Sequence, residues 1–157
     1  MQHHAVLVID DEKMVLKAIQ RALRGEPYQV FLANGGEAAL QLLEAREISL
    51  VISDFRMPGM DGLELLETIK QDYPHILAIM LTGQAETEVA IKAINEAGVY
   101  KFLQKPWDDA ELKRVIRQVL TSIEKEPEWD ALKQKIRARN AIIDRLEKHH
   151  PGITETQ

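Results

Sequence analysis

Residues 5–11 read Ala-Val-Leu-Val-Ile-Asp-Asp, a continuous apolar run that ends in two adjacent carboxylates. A short apolar run rich in β-branched residues is typical of a strand covered on both faces. Apolar residues then recur at three- to four-residue spacing from Val15 to Leu23, and Gly25 and Pro27 end that helix. This stretch therefore predicts a strand followed by a helix, the repeating unit of α/β proteins.

The same alternation of strand and helix continues to residue 123. Further strands are predicted over residues 28–33, 48–53, 75–81 and 99–104, and further helices over residues 37–47, 62–73, 86–97 and 107–123. Strands that are each followed by a helix lie parallel and are joined by right-handed crossovers. The sequence thus predicts one doubly wound α/β domain over residues 4–123, with a five-stranded parallel sheet and five helices.

The C-terminal part of the chain has a different pattern. Residues 124–150 predict a long charged helix or linker, and residues 151–157 a flexible tail. Its apolar residues recur at helical spacing, so they pack against the domain, a second copy or a missing output domain; they are Trp129, Leu132, Ile136, Ile143 and Leu146. A single helix cannot build a helix-turn-helix domain, so we expect no direct contact with DNA.

Composition excludes several classes of protein. The 157 residues include 25 acidic and 20 basic side chains, and the net charge of −5 argues against nonspecific binding to nucleic acids. Without cysteine the chain has no disulfide, thiolate metal site or cysteine nucleophile. No apolar run is long enough to span a membrane, and the N-terminus does not resemble a secretory signal. We therefore expect a cytoplasmic protein that does not enter membranes.

Polar groups follow the predicted strands at one edge of the sheet. Asp10 and Asp11 end the first strand, Asp54 the third and Thr82 the fourth, while Lys105 follows the fifth. Because the carboxyl ends of parallel strands meet at one edge, we expect these side chains to converge. Clustered carboxylates raise one another's pKa unless a cation is bound, and Mg²⁺ suits a site with few carboxylates and several waters.

These groups together are suited to phosphoryl transfer. Asp54 would be the nucleophile, with Asp11 as a direct magnesium ligand and Asp10 as a ligand through water. Lys105 would place a positive charge next to the phosphoryl group, and Thr82 would donate a hydrogen bond to one of its oxygens.

Simpler interpretations exist for individual residues. Asp10 and Asp11 could cap the first helix, and Thr82 could cap the fourth, because such side chains favour helix N-termini. Asp54 could be an ordinary loop acid, and Lys105 a solvated surface lysine. Their joint occurrence at strand ends favours a functional site.

Four segments carry a resemblance to a known family. Residues 8–12 (Val-Ile-Asp-Asp-Glu), 53–62 (Ser-Asp-Phe-Arg-Met-Pro-Gly-Met-Asp-Gly), 81–83 (Leu-Thr-Gly) and 102–106 (Phe-Leu-Gln-Lys-Pro) resemble the signatures of CheY-like receiver domains of bacterial response regulators. The resemblance covers residues 4–123. We accordingly expect the flavodoxin-like form of the fold, with strand order 2-1-3-4-5.

The resemblance implies a phosphorylation-dependent switch in two-component signalling. Asp54 would accept a phosphoryl group from a sensor histidine kinase or a phosphotransfer protein. Mg²⁺ would be held by Asp10, Asp11, Asp54 and the backbone carbonyl of Arg56. Such a receiver is not an enzyme in the usual sense, because it catalyses only its own phosphorylation and dephosphorylation.

The resemblance also implies how the signal leaves the site. Thr82 and Lys105 would contact the phosphoryl group, and Phe102 would follow Thr82 from an outward to an inward rotamer. Pattern alone would make Phe102 a core residue. The surface formed by the predicted fourth helix, fifth strand and fifth helix would then change, and a downstream protein or a missing output domain would bind to it differently. The resemblance also implies that the Lys105–Pro106 bond is cis.

Two other functions and a further partner arrangement are compatible with parts of this pattern. A phosphatase of the haloacid-dehalogenase class also uses an aspartyl nucleophile and Mg²⁺, but its Asp-x-Asp motif lies on the first strand, whereas Asp54 follows the third and Arg56 occupies the second acidic position. A receiver-shaped scaffold would lack some of the five site groups. A homodimer through the C-terminal helix, or through the surface of the fourth helix, fifth strand and fifth helix, is a further partner arrangement.

Overall fold

The computed structural model describes residues 3–57, 59, 62–83 and 101–125. The chain divides into two compact units, residues 1–122 and residues 123–157. All of the strands and the first three helices described below belong to the first unit. The predicted fourth helix lies outside the described residues, as do residues 126–157, which include most of the predicted C-terminal helix and the whole tail.

The described strands form one sheet of five parallel strands. They are β1 (Ala5–Ile9), β2 (Gln29–Ala33), β3 (Leu50–Asp54), β4 (Leu77–Thr82) and β5 (Lys101–Gln104). Their order across the sheet is β2-β1-β3-β4-β5, and every neighbouring pair is parallel. The predicted flavodoxin-like fold with strand order 2-1-3-4-5 is confirmed.

Four helices are present among the described residues. They are α1 (Lys13–Ala22), α2 (Gly36–Ala45), α3 (Gly62–Asp72) and α4 (Asp109–Lys125). Helix α4 is the fifth helix of the sequence prediction. None of the described helices combines the length and apolar character needed to cross a membrane.

The bounds of β1 match the prediction, and those of β2, β3 and β4 differ from it by at most two residues at either end. The third strand starts at Leu50 instead of residue 48 and ends at Asp54 instead of residue 53. The cause is the pairing with β4, whose register continues to the pair Asp54–Leu81. Likewise β4 includes Thr82, which pairs with Gln104. The two polar residues are therefore held by ladder hydrogen bonds at the sheet edge.

The sheet is buried on both faces, as continuous apolar strands require. All five residues of β1 and all five of β3 are buried. On one face, helices α2 and α3 contribute to a single core cluster that includes Leu7, Ile9, Val51, Met80 and Leu65. Because successive side chains of a strand point to opposite faces, Asp54 lies on the face opposite Ser53 and this cluster.

Candidate functional site

Three carboxylates meet at the carboxyl edge of the sheet. Asp10 directly follows β1, Asp11 comes next, and Asp54 is the last residue of β3. Carboxylate oxygens of these three residues all lie within 4.8 Å of one another. Asp10 and Asp54 are buried and Asp11 is exposed, so the cluster opens to solvent on the Asp11 side.

Asp10 is the most deeply buried member of this acidic cluster. Its side chain is 0 % exposed, and its Oδ1 accepts a hydrogen bond from the backbone N–H of Glu12 at 2.9 Å. Its backbone N–H donates to the carbonyl of Ala33 at 3.1 Å. Within the described part of the chain, Oδ2 is buried without a hydrogen-bond partner. Burial raises the pKa of Asp10 to about 6, opposed by the Glu12 hydrogen bond and reinforced by the charge of Asp54.

Asp54 is paired with a lysine from a neighbouring part of the sheet edge. The Lys105 ammonium lies 3.3 Å from Asp54 Oδ1. Burial raises the pKa of Asp54, while the charge and hydrogen bond of Lys105 lower it. The sequence predicts that repulsion between the carboxylates raises these pKa values, and it does contribute. For both Asp10 and Asp54, however, loss of hydration comes first and the neighbouring carboxylates contribute less.

Thr82 and Lys105 are joined through the backbone. Thr82 is 0 % exposed, and its carbonyl accepts a hydrogen bond from the N–H of Lys105 at 2.8 Å. Within residues 3–57, 59, 62–83 and 101–125, Thr82 Oγ1 is buried without a hydrogen-bond partner. The Lys105–Pro106 bond is cis, as the resemblance implied. The structure thus places Asp10, Asp11, Asp54, Thr82 and Lys105 at one edge of the sheet.

Phe102 and Arg56 flank this group. Phe102 lies on β5 in register with Met80, is half-buried and packs against the core cluster. Arg56 comes two residues after Asp54, and its side chain is exposed. The switching role of Phe102 and the ligand role of the Arg56 carbonyl remain predictions.

Two residues that support Asp54 were not identified from the sequence. Ser53 is buried, and its hydroxyl donates to the backbone carbonyl of Asp54 at 3.1 Å. Gly62 begins a predicted helix and ends the second of the four resembling segments, and a Cβ atom there would lie 2.0 Å from the same carbonyl oxygen. A polar residue inside an apolar strand run was the available signal for Ser53. No sequence signal indicated the contact of Gly62.

The fold and site match a known family. A family model described as response regulator receiver domain matches residues 6–117. The chain belongs to this family. Members are signalling proteins of two-component systems, not classical enzymes, which favours the signalling interpretation over the phosphatase considered above.

Similar solved structures and curated relatives agree with this assignment. A signal receiver domain of an HD domain-containing protein from Pseudomonas fluorescens is 42 % identical, with a TM-score of 0.72 over 76 % of this chain and 95 % of that one. A receiver domain from Clostridium thermocellum is 32 % identical, with a TM-score of 0.71 over 77 % of this chain and 97 % of that one.

Curated relatives of this receiver domain are longer proteins. The hydrogenase transcriptional regulatory protein HoxA of Cupriavidus necator is 30 % identical over 138 residues, which is 88 % of this chain. The match covers 28 % of HoxA. The DNA-binding transcriptional regulator NtrC of Escherichia coli is 32 % identical over 77 % of this chain, and 26 % of NtrC is covered. The chain therefore spans about a quarter of the length of these relatives.

Receiver domains typically bind Mg²⁺ at an acidic pocket, and the residues present fit this ion. Asp10, Asp11 and Asp54 offer oxygen atoms that lie close together, and Mg²⁺ prefers oxygen ligands. The buried Oδ2 of Asp10 lacks a hydrogen-bond partner among the described residues, and such an atom is expected where a cation or water binds. The donor set thus matches a hard divalent cation.

Proposed function

We propose that this receiver domain accepts a phosphoryl group on Asp54 from a phosphohistidine of a sensor kinase or phosphotransfer protein. The observation that carries the proposal is the surroundings of the Asp54 carboxylate. Asp54 Oδ1 is 3.3 Å from the Lys105 ammonium, and a carboxylate oxygen of Asp54 lies within 4.8 Å of oxygens of Asp10 and Asp11. A buried nucleophile beside one fixed cation and a second cation site is suited to an anionic electrophile.

Asp10, Asp11, Asp54 and the carbonyl of Arg56 would hold Mg²⁺. When bound, the ion supplies positive charge that offsets both the carboxylates and the oxygens of the incoming phosphoryl group. Burial of Asp10 suits this role, because an adjacent dication stabilises a carboxylate that has lost its hydration. Asp11 is exposed and would face the solvent side of the ion.

The chemical step is a single displacement at phosphorus. An Asp54 carboxylate oxygen forms the new bond to phosphorus as the bond to the donor nitrogen breaks, and the donor leaves as a free histidine. Lys105 would then pair with the phosphoryl oxygens that replace its present contact with Asp54 Oδ1. Thr82 Oγ1, which has no partner among the described residues, would donate to one of these oxygens. Hydrolysis of the acyl phosphate by water would return the domain to its initial state.

The phosphorylated state would be transmitted through Thr82 and Phe102. Movement of Thr82 toward the phosphoryl group would open space that the half-buried ring of Phe102 enters. The surface that changes comprises the predicted fourth helix, β5 and α4. Its described part includes a hydrogen bond from Lys101 Nζ on β5 to Gln118 Oε1 on α4 at 2.8 Å.

The output of this switch belongs to a partner. Longer relatives such as HoxA and NtrC are transcriptional regulators by name, so an output domain in a longer protein, or a separate downstream protein, would respond to the changed surface. A second copy of this chain is the other partner we propose. We expect the switch to work in the cytoplasm without direct contact with nucleic acid or membrane.

The test is incubation of the protein with acetyl phosphate and Mg²⁺, followed by intact-mass measurement. The wild type should gain the mass of one phosphoryl group, and peptide mapping should place it on Asp54. Asp54→Ala should gain nothing, and chelation of Mg²⁺ should prevent the gain in the wild type.

The matched control is Asp72→Ala, because Asp72 is an exposed aspartate at the end of α3, outside the acidic cluster. This variant should be phosphorylated like the wild type. Phosphorylation of Asp54→Ala to the wild-type extent would contradict the proposal. Steady release of phosphate from simple phosphate monoesters would instead favour the phosphatase alternative.

A further inference from the structure

The backbone around Asp54 is held from three directions. The N–H of Phe55 donates to the carbonyl of Leu81 on β4 at 2.9 Å. The carbonyl of Phe55 accepts from the N–H of Gly62 at 3.0 Å. The carbonyl of Asp54 accepts from the hydroxyl of Ser53 at 3.1 Å. The first two bonds belong to the sheet edge and to the start of α3, and the third comes from a side chain.

The side-chain bond occurs where the β1–β3 ladder ends. The register between these strands runs from Val6–Leu50 to Ile9–Ser53, so the carbonyl of Asp54 lies beyond the last pair. Asp54 is buried, and a buried carbonyl without a partner would cost about 1–3 kcal/mol. The hydroxyl of Ser53 supplies a donor at this position.

Gly62 leaves the space that this carbonyl needs. A Cβ atom at Gly62 would lie 2.0 Å from the Asp54 oxygen, 3.0 Å from its carbon and 3.1 Å from Cα of Phe55. The carbonyl oxygen of Asp54 therefore lies close to the first residue of α3. Its direction is defined by Ser53 on one side and by the first residue of α3 on the other.

We propose that Ser53 is a positioning residue for phosphoryl transfer, which orients the Asp54 carboxylate by fixing the peptide between Asp54 and Phe55. Its side chain points to the opposite face of the sheet from Asp54, so it acts through the backbone and not on the phosphoryl group. The same peptide begins the loop that carries the Arg56 carbonyl. The proposal rests on Asp54 being the phosphoacceptor.

The test compares two variants of equal shape, Ser53→Thr and Ser53→Val. Both add bulk between Ile9 and Met80, the in-register neighbours of Ser53, but Thr keeps the hydroxyl and Val lacks it. We measure the rate constant for phosphorylation at saturating acetyl phosphate and Mg²⁺, and the Mg²⁺ concentration that gives half of this rate. Ser53→Val should react about tenfold more slowly than Ser53→Thr, because misplacing a reacting group is costly.

The rate is measured under conditions where circular dichroism shows each variant to be folded. Ser53→Ala, which removes the hydroxyl without adding bulk, should also be slower than the wild type. A purely structural role would lower the unfolding midpoint of Ser53→Val and Ser53→Ala and leave the rate of the folded protein unchanged, and that result overturns the proposal. If the wild type itself gains no phosphoryl group on Asp54, the proposed function fails and this inference with it.

Discussion

At the scale of single residues, burial determines the ionisation of the site. The pKa of Asp10 is raised to about 6 mainly because its carboxylate has lost its hydration, and the repulsion by Asp54 is a smaller contribution. The ammonium of Lys105 pairs with Asp54 at 3.3 Å. Without a bound cation, ionisation of the buried Asp10 carboxylate therefore carries an energetic cost, which a dication would offset.

This cost predicts the pH dependence of Asp10→Asn. A raised pKa in the folded protein means that stability present below pH 4 is lost as pH rises through about 6. In EDTA at pH 7, Asp10→Asn should therefore be more stable than the wild type by up to about 3 kcal/mol. The difference should shrink toward pH 4, as measured by urea unfolding. An unchanged difference across this pH range would contradict the assignment of the cost to ionisation.

Thr82, like Asp10, is a residue of the site with a buried polar atom that lacks a hydrogen-bond partner among the described residues. Thr82→Val keeps the shape and removes the hydroxyl, so the unphosphorylated protein should gain roughly 1 kcal/mol in unfolding free energy. Thr82→Ser keeps the hydroxyl and is the matched control. After treatment with acetyl phosphate, Thr82→Val should lose the phosphorylation-dependent change in the near-ultraviolet spectrum that the wild type and Thr82→Ser show. An equal change in all three would exclude Thr82 from the switch.

At the scale of elements, the end of β3 and the start of α3 approach each other closely. The start of α3 approaches the end of β3 so closely that its first residue, Gly62, has no room for a side chain beside the Asp54 carbonyl. The N–H of Gly62 donates to the Phe55 carbonyl at 3.0 Å in the same place. The position of Asp54 therefore depends on how a helix packs against the sheet.

Gly62→Ala tests this dependence. The added methyl would meet a backbone atom that cannot rotate away, so we expect a loss of at least about 2 kcal/mol in unfolding free energy. Phosphorylation of the folded fraction should slow as well. Gly35→Ala is the control, since a Cβ there has no heavy atom within 4 Å and Gly35 has an extended φ of 172°. Equal effects of the two substitutions on stability would contradict the close approach.

At the scale of the whole domain, one ion pair joins distant parts of the chain. The guanidinium of Arg117 on α4 binds Glu26, which precedes β2, through Nε at 3.0 Å and through Nη2. The Glu26 side chain is only 6 % exposed. A carboxylate this buried depends on its partner, so the pair connects the last described helix to the turn before the second strand.

We predict that Arg117→Gln lowers the thermal midpoint of unfolding by about a few degrees, because it removes the positive charge that pairs with the largely buried Glu26 carboxylate. Glu26→Gln with Arg117→Gln should recover part of the loss, since the remaining amides can bond to each other. Differential scanning calorimetry of the wild type, Arg117→Gln, Glu26→Gln and the double variant gives the coupling between the two sites. Additive losses would show that the pair is not coupled. Arg114→Gln, on the same helix at an exposed position, serves as the control.

The sequence by itself determined the parallel α/β architecture and which polar residues come at the strand ends, while the strand order was predicted from the resemblance to receiver domains. Continuous apolar strands alternating with amphipathic helices leave parallel pairing as the stable arrangement, because each strand must be buried on both faces. Residues at the carboxyl ends of such strands meet at one edge of the sheet, which is why the sequence predicts that Asp10, Asp54 and Thr82 lie close together. The parallel arrangement follows from the local alternation of strand and helix patterns, so it can be predicted from the sequence.

Only the tertiary structure decided how the site is held. Whether Asp54 ends the strand or follows it depends on its pairing with Leu81, and whether Gly62 approaches its carbonyl depends on how α3 packs on the sheet. The dominance of burial over repulsion at Asp10 likewise follows from neighbours that are far away in sequence. Close interatomic contacts and the hydration of buried groups depend on the packing of the whole domain, and no local pattern of residues encodes them.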